Sequence, residues 1–193
     1  MANYPKIWFL RHGQTEWNKA YRLQGQLDSP LTEKGIADAH RQAAIIAPVL
    51  AQKPDIYVSP LGRTRQTAQI ALAGAACSYD DRLMEIHAGD WQGRLREDIL
   101  AESGDWAQQR PSALAIYEKA VGGEGLAAFQ ARIRSFLDGL TGPTVVVAHG
   151  LWGQVMRAQV RGLDMETAGH LSNDQGCVYV LENGYETLLD APQ

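Results

Sequence analysis

The chain has just two cysteines, Cys77 and Cys177, set a hundred residues apart and neither in a Cys-x-x-Cys pair. That usage argues against a zinc site or a dithiol motif, and both side chains are expected to be buried thiols. Positive charge is sparse too: 18 Lys and Arg stand against 22 Asp and Glu, and no run of Lys or Arg exceeds two residues. The electrostatic footprint of a nucleic-acid or anionic-membrane binder is therefore missing, which leaves a small molecule or a protein as the expected partner. No stretch approaches the roughly 18 apolar residues of a membrane span. The opening Met1-Ala2-Asn3-Tyr4-Pro5-Lys6 runs directly into a short apolar strand and not into a signal-peptide core, so a cytoplasmic location is expected.

Several chemical signatures are also missing. There is no GxxxxGK[ST] loop and no HExxH, and Gly123-Glu124-Gly125 lacks the apolar strand that must precede a dinucleotide fingerprint. Cys77 reaches Arg82 after four residues and Cys177 has no following Arg, so a Cys-x5-Arg phosphatase loop is absent. Neither a metal nor a cofactor is expected.

What the sequence does contain is a continuous α/β pattern. The apolar fraction of 45% shows no compositional break, so residues 1–193 read as one domain. At this length a compact fold buries about 70% of its unfolded surface and requires no disulfide or metal staple. Apolar runs at Ile7 to Leu10, Asp55 to Val58, Cys77 to Tyr79 and Thr144 to Val147 predict strands. Between them lie helix patterns: one capped by Thr32 and ending near Pro48, with Ile36, Ala39, Ala43 and Ile46 on its apolar face, and one opened by Ser59-Pro60. Phe129, Ile133, Phe136, Leu137 and Leu140 mark a third helical face, and Leu151 to about Val160 a fourth. Asn183-Gly184 predicts a hairpin turn between strands at Cys177 to Leu181 and Tyr185 to Leu189. The expected fold is three-layer α/β/α, with a mostly parallel sheet and a C-terminal antiparallel hairpin. That hairpin also offers an edge for a dimer, so a monomer or a homodimer is expected. Residues 13–31 read as a functional loop, 80–94 as a loop-rich stretch, and Gly104 and Pro111 interrupt any long helix in 95–123.

In open α/β sheets ligands bind beyond the carboxyl ends of the strands. Arg11-His12-Gly13 and His149-Gly150 follow strands directly, and Arg63 falls in the first turn after Ser59-Pro60. Two arginines and two histidines meeting at one sheet edge form a cationic pocket on an acidic chain. Phosphate is its natural guest, because guanidinium forks match its oxygens and helix N-termini offer free N–H groups. Gly13 and Gly150 are expected to let the backbone approach that ligand. His40, His87 and His170 read as solvated side chains, Trp17 as packing beside the active loop, and Trp8, Trp91, Trp106 and Trp152 as core or rim aromatics.

These motifs resemble the histidine phosphatases, the superfamily that includes the cofactor-dependent phosphoglycerate mutases. Leu10-Arg11-His12-Gly13-Gln14-Thr15 with Trp17-Asn18 is similar to the family's opening motif, in which the histidine becomes phosphorylated. The likeness continues in order through Gln24-Gly25, Asp28-Ser29-Pro30-Leu31-Thr32, Gly35, Ser59-Pro60-Leu61-Gly62-Arg63-Thr64 and Gln66-Thr67-Ala68. Glu85 ahead of Gly89-Asp90-Trp91-Gln92-Gly93, and Ala148-His149-Gly150, complete it over residues 7–157. Leu151-Trp152, and Gly125 where Ser is common, depart from the pattern and bear on substrate choice more than on chemistry.

The resemblance implies that His12 attacks phosphorus, that Arg11, Asn18, Gln24, Gly25, Arg63, His149 and Gly150 hold the phosphoryl group, and that Glu85 protonates the leaving group. Asp90, Glu97 and Glu102 are the neighbouring alternatives for that proton. The implied activity is hydrolysis of a small phosphomonoester. The alternatives are a phosphoglycerate mutase, whose members are generally longer than this compact chain, and a non-catalytic phosphate- or protein-binding module on the same fold. Such a module would be expected to have lost His12 or an arginine, and this chain keeps both.

Overall fold

A computed structural model describes residues 4–190; the opening Met1-Ala2-Asn3 and residues 191–193 lie outside the described residues. Strand β1 (Ile7–Arg11) leads through a short helix α1 (Glu16–Lys19) to α2 (Glu33–Leu50), β2 (Asp55–Val58), α3 (Gly62–Ala71) and β3 (Ser78–Tyr79). Three short helices and one longer one follow: α4 (Arg96–Glu102), α5 (Asp105–Gln108), α6 (Ala113–Glu118), and then α7 (Gly125–Leu137) leading into β4 (Thr144–Ala148). The chain continues through α8 (Gly150–Arg161), α9 (Met165–Ala168), β5 (Val178–Glu182) and β6 (Tyr185–Leu189). The six strands form one mixed sheet in the order β3-β2-β4-β1-β5-β6. The first four run parallel, and β5 and β6 are antiparallel to their neighbours.

Unbroken apolar runs in β1 and β4 fit strands covered on both faces. Trp8, Leu10, Val145 and Val147 pack on one side against Ile46 and Val49 of α2 and Ala68 and Ala71 of α3. Ile7, Phe9, Val146 and Ala148 pack on the other against Phe129 and Ile133 of α7 and Trp152 and Val155 of α8. The three-layer architecture and the C-terminal hairpin follow the expectation. Asn183 and Gly184 both take the left-handed backbone that their turn requires.

Four local readings are corrected. The buried face of α2 is Gly35, Asp38, Ala39, Gln42, Ile46 and Val49, while Ile36 is exposed. The polar members of that face are buried because they are bonded: Asp38 by Lys34 and Arg41, and Gln42 Nε2 by donating to the carbonyls of Arg11 and Cys177. Pro48 lies inside the last turn of α2, which runs on to Leu50. Helix α3 begins at Gly62 with Leu61 as its cap residue, two positions after the predicted start, because the Ser59 hydroxyl is engaged elsewhere. Cys177 is buried as expected, but Cys77 is only half-buried. Residues 13–31 include α1, and the interrupted stretch 95–123 resolves into α4, α5 and α6.

Candidate active site

Strand β1 delivers His12, β4 delivers His149 and β2 delivers Ser59 to one edge of the sheet, with the His12 amide donating to Ala148 O and the Ser59 amide to Val147 O. The two imidazole centroids lie 5.3 Å apart at 61°. Beside them a hollow of about 140 Å³ is walled by Arg11, His12, Asn18, Gln24, Arg63, Glu85 and Gly150 from the predicted set, while the predicted His149, fully buried, is not part of that wall. Arg22, Ala113, Tyr117, Leu151 and Asn173 complete the wall. A larger hollow of about 480 Å³ beside α3, reaching Cys77 and Tyr79, contains neither histidine nor Glu85 and brings no such group together.

His12 is almost fully buried, and its Nδ1 lies 2.8 Å from Gly13 O. A carbonyl can only accept, so Nδ1 carries the ring proton and Nε2 presents a lone pair. Arg63 Nε donates to that Nε2 from 3.3 Å. Burial, then the charges of Arg63 and Arg11, hold the His12 pKa well below the usual imidazole range, so the ring is neutral.

His149 is likewise buried and kept neutral, by burial first and then by Arg63 and His12. Its Nε2 lies 2.7 Å from Ser59 Oγ. With that hydroxyl donating to Nε2, the ring proton sits on Nδ1, which has no partner among the described residues. Arg11 donates through Nη1 to Asn173 O, and its buried Nε is unpartnered in the same sense. Arg11 Nε, and His149 Nδ1 in the tautomer that accepts from Ser59, are thus free to donate beside His12.

Arg63 is fixed on every side. Its Nη1 donates to Leu27 O at 2.8 Å and Asp28 Oδ1 at 2.9 Å, and its Nη2 to Gly25 O at 2.8 Å. Gly25, predicted among the phosphate-holding residues, lies outside the wall and supports Arg63 through its carbonyl. Gln24 is buried in the wall with its Oε1 unpartnered among the described residues. Asn18 caps its own helix α1 through Oδ1 while facing the hollow. Gly150 opens α8, where a Cβ would meet Asn173 Nδ2 at 2.6 Å. Gly13 has a different reason from the one expected: its close neighbour is Gly35 O, 2.1 Å from a Cβ built at Gly13, which is helix backbone and no ligand.

Glu85 is the one carboxylate of the wall. Its Oε1 accepts from the amides of Ile86 and Trp152, and its Oε2 from Leu151, so it sits on the first turn of α8. Burial raises its pKa against the opposing pull of the three amides and Arg63. Oε2 has one amide partner and a second lone pair for a proton. The alternatives Asp90, Glu97 and Glu102 are exposed and outside the wall. His40 and His170 are exposed, and the His87 ring is held by Gly89 and Gln92.

Tyr117 and Asn173 were not foreseen. Tyr117 comes from α6, a single-turn element with little periodicity, and Asn173 from a polar segment ahead of β5 whose composition signals only a turn.

Known proteins resemble this chain over most of its length. The family model of the histidine phosphatase superfamily (branch 1) matches residues 7–188. A protein named probable phosphoglycerate mutase GpmB, from Serratia proteamaculans (strain 568), is 33% identical over 167 residues, covering 82% of this chain and 75% of its own length. Among solved structures, a putative alpha-ribazole-5'-P phosphatase from Escherichia coli K-12 matches with a TM-score of 0.79 at 26% identity, over 98% of this chain and 97% of that one. The alpha-ribazole phosphatase from Shigella flexneri matches at 0.78 and 25%, over 97% and 96%.

Proposed function

Because the chain belongs to the histidine phosphatase superfamily, we propose that it hydrolyses small phosphomonoesters by way of a phosphohistidine on His12, with no metal in the chemistry. The observation that carries this reading is the neutral His12, whose Nδ1 is tied to Gly13 O and whose Nε2 lone pair faces the hollow beside Arg63.

In the first half-reaction Nε2 forms a bond to phosphorus as the ester P–O bond breaks. The departing alkoxide takes the proton from Glu85 Oε2. Arg11 Nε, Arg63 and His149 Nδ1 supply donors to the phosphoryl oxygens, and such preorganised donors provide most of the catalysis in a loose phosphoryl-transfer transition state. In the second half-reaction water attacks phosphorus, the P–N bond breaks, Glu85 accepts the water's proton, and inorganic phosphate leaves. Positive charge from the two arginines stands where other phosphatases use metal ions. Among the described residues no group of three or more His, Cys, Asp and Glu is placed to hold a metal ion.

A second reading has its own support. The curated relative quoted above is named a probable mutase, which would return the phosphoryl group to another hydroxyl before water intervenes. The phosphatase names belong to the structures matched over nearly their whole length, and these favour hydrolysis. Phosphate release across a broad phosphomonoester panel in EDTA, with 3-phosphoglycerate followed separately for isomerisation, decides between them. Hydrolysis predicts phosphate release from several esters and an acid-labile label on His12 that His12→Ala abolishes. Isomerisation without net release, or a label that survives acid, overturns the proposal.

A further inference from the structure

Glu85 is carried by a segment, Met84 to Ala88, that belongs to neither helix nor strand and lies between two single-turn 3-10 helices. Its carboxyl must nevertheless be held at one place, because a displacement of about 1 Å at a reacting group costs on the order of 10²-fold in rate. The hydrogen-bond ladder of the sheet does not reach it. The device that does is Arg132 of α7, which lies outside the wall of the hollow.

Arg132 spends all five of its N–H donors on this task. Nη1 donates to the carbonyls of Arg82 at 2.8 Å and Met84 at 2.6 Å. Nη2 donates to the carbonyl of Glu85 itself at 2.9 Å and to Glu124 Oε1 at 2.7 Å, and Nε donates to Glu124 Oε2 at 2.9 Å. Glu124 Oε1 also accepts the amide of His87 at 2.8 Å, and the Glu124 amide donates back to His87 O. The pair therefore grips the chain on both sides of Glu85. The Arg132 guanidinium carbon lies over the Phe129 ring, 4.6 Å from its centroid, which fixes the guanidinium plane.

We propose that Arg132, backed by Glu124, is the positioning residue that aims the Glu85 carboxyl at the leaving group; the inference rests on the reading of Glu85 as the proton donor. Two anchors define the aim. Arg132 holds the backbone of residues 82–85 from α7, and the amides of Leu151 and Trp152 hold the carboxylate from α8. The Trp152 side chain ties them together, since its Nε1 donates to Arg82 O at 2.8 Å. Arg132 pairs with Glu124 and reaches only the carbonyl of Glu85, so it acts on that carboxyl through geometry. A lysine at this position keeps the charge and loses the planar fork.

The test compares formation of the phosphoenzyme in single turnovers from an alkyl phosphate and from p-nitrophenyl phosphate, in Arg132→Lys, Glu124→Gln and Glu85→Gln proteins. Loss of aim harms only the ester whose leaving group needs a proton. Arg132→Lys is expected to slow the alkyl ester by about 10- to 100-fold and the aryl ester by less than about 3-fold, with KM for both within about 3-fold of wild type. Glu124→Gln, which keeps one acceptor oxygen, should show the same selectivity to a smaller degree. Thermal unfolding checks that each protein is folded, and Glu124→Gln carries the test if Arg132→Lys is not. Equal loss for both esters, or no loss in folded protein, overturns the positioning role while a selective Glu85→Gln leaves the proton donor standing. A Glu85→Gln protein that treats both esters alike overturns the proton donor and the positioning role together.

Discussion

Arg63 points its Nε hydrogen at His12 Nε2 from 3.3 Å, so the nitrogen that attacks phosphorus is already paired with the cation that must stabilise its product. For the P–N bond to form, that N–H has to pass from Nε2 to a phosphoryl oxygen. The other Arg63 bonds, to Gly25 O, Leu27 O and Asp28, make such a handover a small pivot, because the guanidinium plane stays anchored. Lysine has one ammonium for these four partners. Arg63→Ala is expected to lose about 10²- to 10³-fold in kcat, the scale of one oxyanion donor, and Arg63→Lys to recover only part of it. Steady-state rates with a sugar phosphate check this, and wild-type activity in both variants would take Arg63 out of the mechanism.

The two buried histidines make stability fall with acid. In the unfolded chain each imidazole takes a proton as pH drops through about 6.5. In the fold burial and the neighbouring Arg63 keep both neutral well below that point. The unfolded state then binds more protons, so their contribution is whole above about pH 6.5 and is lost below it, at about 1.4 kcal/mol per pH unit for each ring. Glu85, whose pKa is raised, acts in the opposite sense and costs stability as pH rises through its folded value. Urea midpoints at pH 7.5 and 5.5 should separate more widely for wild type than for His12→Asn. Parallel pH dependences in the two proteins would show that His12 is protonated in the fold.

A third expectation concerns Gly13 and Gly35, whose backbones touch. A Cβ on Gly13 would lie 2.1 Å from Gly35 O, and one on Gly35 would lie 2.1 Å from Gln14 O. Both neighbours are backbone, so neither can swing aside. Gly13→Ala and Gly35→Ala are each expected to destabilise by more than about 3 kcal/mol, in the range reserved for overpacking a rigid site. Gly74→Ala is the control. Unlike them it sits at positive φ, and it meets nothing within 4 Å, so it pays strain alone, on the order of 1 kcal/mol. Urea unfolding of the three variants would sink the steric account if all fell equally.

The same pair shows how far the sequence could be read. Arg11, His12 and His149 were legible because a buried strand ending in polar residues has few uses besides delivering them to a sheet edge. Arg63 survived an error of two residues in its helix start, since it falls in the first turn from either start. The face of α2 was misread because Asp38 and Gln42 are polar, and nothing local announces that Arg41, Lys34 and two distant carbonyls will satisfy them. Gly13 was assigned to a ligand because its contact with Gly35 is made across 22 residues of chain. Tyr117 was invisible for a related reason: its phenol meets the backbone of Gln24 and Gly25, and α6 is too short to show a period.

The last prediction separates the two half-reactions at Glu85. Its Oε1 accepts two amides and its Oε2 one, so a glutamine there must turn its NH2 toward at least one N–H. That donor-to-donor contact is expected to cost about 1 to 3 kcal/mol, to be read as a lower unfolding midpoint before any kinetics. In the folded Glu85→Gln protein, p-nitrophenolate still leaves without a proton, so His12 is phosphorylated at nearly the wild-type rate. Water, however, must attack the phosphohistidine without a base, and that step should slow by about 10²- to 10⁴-fold. The phosphoenzyme then accumulates, and stopped-flow absorbance shows a burst of p-nitrophenolate close to one equivalent of enzyme followed by a slow steady rate. The burst should vanish in Glu85→Gln,His12→Ala, which has no nucleophile to trap the phosphoryl group. A Glu85→Gln protein that turns over the aryl ester steadily, with no burst and little loss, would mean that the attacking water gives its proton to another group, and Glu85 would be left as a cap on α8.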